Sequence, residues 1–181
     1  MPQLAYYCKV FKLPIVAFIF LLFTSFQKTE ELTIGDQAPD FSMVAMNGET
    51  IHLSQLKGTI VFLDFWASWC LPCRKQNLLL SKIYDKYKRM ARRYDMKVVF
   101  ISVSLDTNKE LWRVAVSKDN LDSRKQVCDF SGWDSPIAKN YHIKKVPSSF
   151  LLDTNGKIVS KDIWDEALTG ALDKMIKQLS N

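Results

Sequence analysis

Cys70 and Cys73, with Leu71 and Pro72 between them, are the residues whose type and spacing could do chemistry. A thiol is a weak nucleophile until it loses its proton. The first turn of a helix offers free N–H groups and the positive end of the helix dipole, and both favour an anion there. Cysteines in such motifs have pKa values brought down from about 8.5 to between ~3.5 and ~7.5. One helical turn between the sulfurs lets them meet. The spacing predicts a redox pair, with Cys70 the exposed attacker and Cys73 the shielded resolver. Pro72 suits the first helical turn, where its missing N–H costs nothing. Asp64 is a charge inside an otherwise apolar run. A lone buried carboxylate is expensive, and from the carboxyl end of a strand it could accept the proton of Cys73. A structural zinc would need four ligands. The chain has no second C-x-x-C, and His52 and His142 are far apart, so no metal is expected.

These residues need a strand to deliver them and a helix to receive them. Residues 60–65 are β-branched and aromatic and predict a buried strand. Residues 66–69 turn the corner. A helix then runs to about residue 93, with Leu80, Ile83, Tyr84, Tyr87, Ala91 and Tyr94 as its buried stripe. Residues 98–104 predict a strand central to a parallel sheet. Thr107 and Glu110 read as a capping box for the next helix. Residues 126–130 suggest a short strand, and Ser135-Pro136 opens a short helix. Strands at 149–153 and 157–160 flank an Asn155-Gly156 turn, and two shorter ones flank Asn47-Gly48. A terminal amphipathic helix from about residue 166 turns Leu168, Leu172, Met175, Ile176 and Leu179 inward. Trp66 and Trp69 are expected at the rim of the site. Trp112, Trp133 and Trp164 are expected in packing roles. Parallel connections followed by a hairpin give an α/β sandwich around a mixed sheet.

The 181 residues suffice for one domain with a good core. The formal charge is +6, but Lys9, Lys12 and Lys28 supply part of it, and the rest is too mildly basic to indicate nucleic acid. Lys9 and Lys12 precede an apolar run at 13–26, the order of a secretory signal. As a helix that run covers about 21 Å, short of a hydrocarbon core of about 30 Å. Residues 1–28 are expected to be either a cleaved signal peptide or an uncleaved membrane tether. Both place the remainder, residues 32–181, in the periplasm or on the outer face of the cytoplasmic membrane, where disulfides persist. Cys8 precedes the run, and Cys128 stands alone, as small buried cysteines do.

The segment LDFWASWCLPC resembles the active site of the thioredoxin superfamily, and the wider pattern resembles its exported TlpA/ResA-like branch. The resemblance implies a thioredoxin-like α/β/α sandwich with a mixed central sheet, an N-terminal hairpin extension and a central αβ insertion. It implies that Asp64 is the buried acid and that Cys70 and Cys73 form the redox-active disulfide. No other cofactor is implied. VPSSFLLDTNGKIV is similar to the segment whose proline is cis and faces the motif. Pro147 and Val146 would then hold an extended substrate strand, together with Trp69, Leu71 and Pro72 around the sulfurs. The implied partners are disulfide-containing exported proteins and a membrane thiol electron donor, and the implied state is a monomer. Two departures stand out. Gln76 occupies the position of a ResA glutamate, which weakens any transfer of a cytochrome-maturation role. The strand at 98–104 lacks the lysine that thioredoxins set beside their buried acid. The lead-in IGDQAPDFSM is shared with peroxiredoxins, which makes a thiol peroxidase an alternative, although WASWCLPC lacks their P-x-x-x-T-x-x-C pattern. A non-enzymatic copper or partner-binding module is the other alternative.

Overall fold

In the computed structural model the described residues are 31–94, 98–121 and 124–179, with side chains described as far as residue 90 in the first helix. The expected leader or tether at 1–28, with Cys8, lies outside them, as do the side chains of Ala91 and Tyr94. Residues Leu32–Asn181 form one compact unit. Its elements in chain order are β1 (Ser42–Val44), β2 (Thr50–His52), a 3-10 turn (Leu53–Leu56), β3 (Ile60–Trp66) and α1 (Leu71–Tyr94). Then come β4 (Val98–Ser104), α2 (Lys109–Lys118), β5 (Lys125–Cys128), a 3-10 turn (Gly132–Asp134) and α3 (Pro136–Asn140). β6 (Ser148–Leu152), β7 (Ile158–Lys161) and α4 (Asp165–Leu179) complete the unit.

The main sheet has the order β5-β4-β3-β6-β7, so β3 is its middle strand. It pairs parallel with β4 and antiparallel with β6. All seven residues of β3 are buried, as expected for a strand covered on both faces. Side chains alternate between those faces. Val61, Leu63 and Phe65 join Ile101, Val103, Phe150, Leu152, Ile137 and Tyr141 in one core. Ile60 and Phe62 join Phe100, Leu151, Leu80 and Tyr87 of α1, and Leu168, Leu172 and Ile176 of α4 in the other. The result is an α/β/α sandwich.

β1 and β2 form the antiparallel hairpin expected around Asn47-Gly48. It leans on the β5 edge through an Ala45–Val127 bridge and a Met46 N–H to Gln126 carbonyl bond of 2.8 Å. An otherwise open sheet edge is thereby covered. α2, β5, a 3-10 turn and α3 lie between β4 and β6, room for the expected central αβ insertion.

Three local expectations need correction. The cap of α2 is Asn108, not Thr107: its side chain accepts from the N–H groups of Glu110 and Leu111 at 3.0 Å. Leu179, the last residue of α4, is exposed rather than turned inward. Trp66 is not at the rim: it is the last residue of β3 and only 1% exposed, packed under α2 beside Trp112.

Candidate active site

β3 delivers Trp66, and the chain then turns sharply so that Cys70 lies at the amino end of α1. Two bonds make the turn: Cys70 N–H donates to Ala67 O at 3.1 Å, and Arg74 N–H donates to Cys70 O at 3.0 Å. Cys70 therefore stands in the N-cap position of a 24-residue helix with no acidic residue in its first turn. Cys70 and Cys73 are joined as a disulfide, with Cα atoms 5.2 Å apart. The N–H of Cys73 donates to Cys70 Sγ at 3.1 Å. A free helix-terminal donor thus points at the sulfur that would carry negative charge on reduction. With the disulfide closed both cysteines are largely covered, Cys70 at 6% and Cys73 at 1% exposure. Cys70 is the more open of the two, by a smaller margin than its role as the exposed attacker suggested.

The corner is clamped from the next strand. Asp106, buried just beyond β4, accepts from Ser68 N–H at 2.9 Å, from the Ser68 hydroxyl, and from the Ser104 hydroxyl at 2.6 Å. Leu105 N–H donates to Trp66 O at 2.8 Å. Arg74 forms a two-pronged ion pair with Asp119, which ends α2, and donates to Ser68 O at 3.3 Å. The corner and both flanking helices are held as one body.

Across the site, the Val146–Pro147 bond is cis, and Val146 O lies 3.8 Å from Cys70 Sγ. Both residues are half-buried, and Leu71 and Pro72 are exposed. Trp69 is 56% exposed. Its ring packs against Trp133, centroids 6.4 Å apart, and Trp133 is itself 46% exposed. Trp133 is thus not the packing residue expected of it; it extends the apolar rim. Gly132, just before it, packs closely against the chain just past the end of β4. Its φ is +59°, and a Cβ there would meet Thr107 Cγ2 at 3.0 Å. Trp112 is buried, and Trp164 packs against the α1–α4 core, as expected.

Asp64 is 1% exposed on the α1-facing side of β3. Ser102 donates to its Oδ1 at 2.7 Å from the register-paired position of β4. The cation missing from β4 arrives from elsewhere: Arg124, just before β5, places Nη1 3.7 Å from the same oxygen. Burial pushes the Asp64 carboxyl up, and Arg124 and the Ser102 hydrogen bond oppose that rise. Nothing in the sequence marked Arg124, which reads as one more polar loop residue.

Gln76 donates to Asp165 Oδ1 at 2.7 Å, tying α1 to the start of α4. Cys128 is half-buried against the cluster that holds Cys70 and Cys73, and burial pushes its thiol up to about 11. Among the described residues no three His, Cys, Asp or Glu side chains are grouped to hold a metal ion.

A strand–corner–helix that aims a helix amide at one sulfur of a disulfide, opposite a cis-proline, defines a thiol–disulfide oxidoreductase. The model of the AhpC/TSA family matches residues 34–161. A thiol-disulfide oxidoreductase ResA of Bacillus cereus is 35% identical over 153 residues, covering 83% of each chain. Among solved structures, the C-terminal domain of a putative thiol-disulfide oxidoreductase from Bacteroides thetaiotaomicron is 35% identical with a TM-score of 0.73. It covers 82% of this chain and 99% of its own. A putative thiol:disulfide interchange protein DsbE from Chlorobium tepidum is 30% identical with a TM-score of 0.66, covering 83% and 99%. The chain belongs to the AhpC/TSA family and, within the thioredoxin superfamily, is a TlpA/ResA-like thiol–disulfide oxidoreductase with the thioredoxin-like fold.

Proposed function

We propose that the protein reduces disulfides of exported proteins by dithiol–disulfide exchange through Cys70 and Cys73. The observation that carries this reading is the Cys73 amide aimed at Cys70 Sγ, with the Val146 carbonyl beside it. In the reduced protein the Cys70 thiolate attacks one sulfur of a substrate disulfide. The substrate S–S bond breaks, one substrate thiolate leaves, and a mixed disulfide forms. Asp64 takes the proton of Cys73. The Cys73 thiolate attacks Cys70 Sγ, closes the Cys70–Cys73 disulfide and releases the second substrate thiolate. Two electrons pass to the substrate, and a thiol carrier in the membrane returns them.

The substrate strand lies along Val146 and Pro147, where backbone pairing gives affinity with little sequence choice. Trp69, Leu71 and Pro72 line the approach, joined by Trp133. The exchange uses the cysteine pair alone, without metal or organic cofactor. It works as a monomer in the periplasm or on the outer face of the cytoplasmic membrane, with residues 1–28 as signal peptide or tether.

The test is trapping. Cys73→Ala should accumulate mixed disulfides on Cys70, seen as adducts that dithiothreitol releases. Cys70→Ser should accumulate none; equal trapping by both variants contradicts the assigned roles. The family match also keeps a peroxidase in view. Insulin reduction without thiol-dependent peroxide consumption supports exchange, and the reverse result supports the peroxidase.

A further inference from the structure

We infer that Arg124 is the positioning residue that keeps Asp64 ionised and able to accept a proton, acting through the acid and not on the sulfurs. This rests on the reading of Asp64 as the acceptor of the Cys73 proton.

The two side chains are 0% and 2% exposed and stand 3.7 Å apart, Arg124 Nη1 to Asp64 Oδ1. Arg124 Nη2 donates to Asn77 Oδ1 at 3.2 Å, while Nε and Nη1 have no hydrogen-bond acceptor among the described residues. Burying a guanidinium so incompletely satisfied is unfavourable, and apolar residues of similar volume often serve stability as well or better. Packing alone does not account for its presence here.

Its position relative to the sulfurs follows from two periodicities. Along α1, Cys73, Asn77 and Leu80 lie at i, i+4 and i+7 on one stripe, each 1% exposed. Along β3, Phe62, Asp64 and Trp66 share one face. Phe62 packs in the same cluster as Leu80, and Trp66 in the same cluster as Cys73. Asp64, between them, therefore sits beneath Asn77, one helical turn from Cys73, and Arg124 binds that asparagine.

Asp64 is the first of the charged groups acting on Arg124, ahead of Asp119 and the Tyr84 phenol. From α1 come Arg74 and the Tyr84 phenol; from the end of α2 comes Asp119, whose two oxygens are taken by Arg74. β4 and β6 face Asp64 with Ser102 and Ser149 at its register-paired positions. Burial favours a neutral carboxyl, and a neutral carboxyl cannot take a proton. A cation at this distance favours the carboxylate by about 1–3 pK units. In the resolving step the Cys73 S–H bond breaks and its proton goes to Asp64. The electron pair stays on sulfur and forms the bond to Cys70 Sγ, the substrate thiolate leaves, and the proton passes from Asp64 to water.

The experiment is single-turnover reaction of the reduced full chain with a peptide disulfide across pH, acid-quenched, following the Cys70 mixed disulfide by mass. Arg124→Gln should move the acid limb of mixed-disulfide resolution up by about 1–3 pH units. It should leave the pH profile of the first attack in place, and Arg124→Lys should restore most of the shift. In an Asp64→Asn background, adding Arg124→Gln should change nothing. An unshifted limb in Arg124→Gln, or a shift that persists without Asp64, overturns the inference. A measurement on the wild type does not depend on variants folding: the Asp64 carboxyl ¹³C resonance should report a carboxylate at pH 7, and a protonated group there overturns it equally. Wild-type protein that forms no Cys70 adduct at all would instead remove the exchange reading beneath it.

Discussion

Trp133 shows how much one side chain can change the reading of a site. Its neighbours in sequence gave no reason to separate it from Trp112, yet Trp112 is 4% exposed and Trp133 is 46% exposed. Trp112 lies on the inner face of α2, whereas Trp133 lies in the 3-10 turn after Gly132, whose left-handed backbone sits close against Thr107, with its indole beside Trp69. Exposed aromatic pairs of this kind are strong contributors to binding. Trp133→Ala is predicted to lower kcat/KM for a protein disulfide about tenfold, about 1.4 kcal/mol, mostly in KM. Exchange with a small symmetric disulfide, which cannot reach the indole, should be unchanged. An equal loss on both substrates would assign Trp133 to the integrity of the motif instead. Gln76 departs from the glutamate of the ResA pattern for a reason visible in its contact. It donates to Asp165, so a glutamate in its place would set two carboxylates against each other.

Among the elements, the corner between β3 and α1 depends on one buried acid that no sequence pattern flagged. Asp106 satisfies the backbone N–H and hydroxyl of Ser68 across the gap between β4 and the motif, and the hydroxyl of Ser104 at the end of β4. Deleting an acceptor leaves buried donors unpaired, which costs more than the hydrogen bonds themselves contributed. Asp106→Ala is therefore predicted to lose about 2–4 kcal/mol of stability by urea unfolding; a loss under ~0.5 kcal/mol would show that the corner holds without it. The regular elements were legible because periodicity and burial agree in them. β3 and β4 are buried runs on adjacent strands, and α1 carries Leu80, Ile83, Tyr84 and Tyr87 at helical spacing against the sheet. The cap of α2 was misplaced by one residue because Thr107 and Asn108 are both capping types, and only geometry selects between them. Asp106, Arg124 and Trp133 were not legible for a different reason. Each acts on a residue 38 to 64 positions away, through contacts that exist only once the sheet has formed.

At the scale of the whole molecule, the sheet brings three distant segments to one end of β3: the cysteine motif, the cis-proline loop and the turn bearing Trp133. The first two were readable because each carries its own local signature. The electrostatic support below them was not, since Asp64 takes its cation from beyond the adjacent strand. No helix among the described residues is long and apolar enough to cross a membrane. The unit Leu32–Asn181 contains three of the four cysteines, and they differ sharply in surroundings. Cys70 receives a helix amide, Cys73 lies deeper on the same turn, and Cys128 is held protonated, its thiol pushed up to about 11. The most direct measurement is therefore the pH dependence of alkylation of the fully reduced protein, resolved by mass to each sulfur. Cys70 should react first, with an apparent pKa below about 7.5, while Cys73 lags and Cys128 stays slow until strongly alkaline pH. Cys70 titrating at about 8.5 like a free cysteine, or Cys73 reacting ahead of it, would contradict the account.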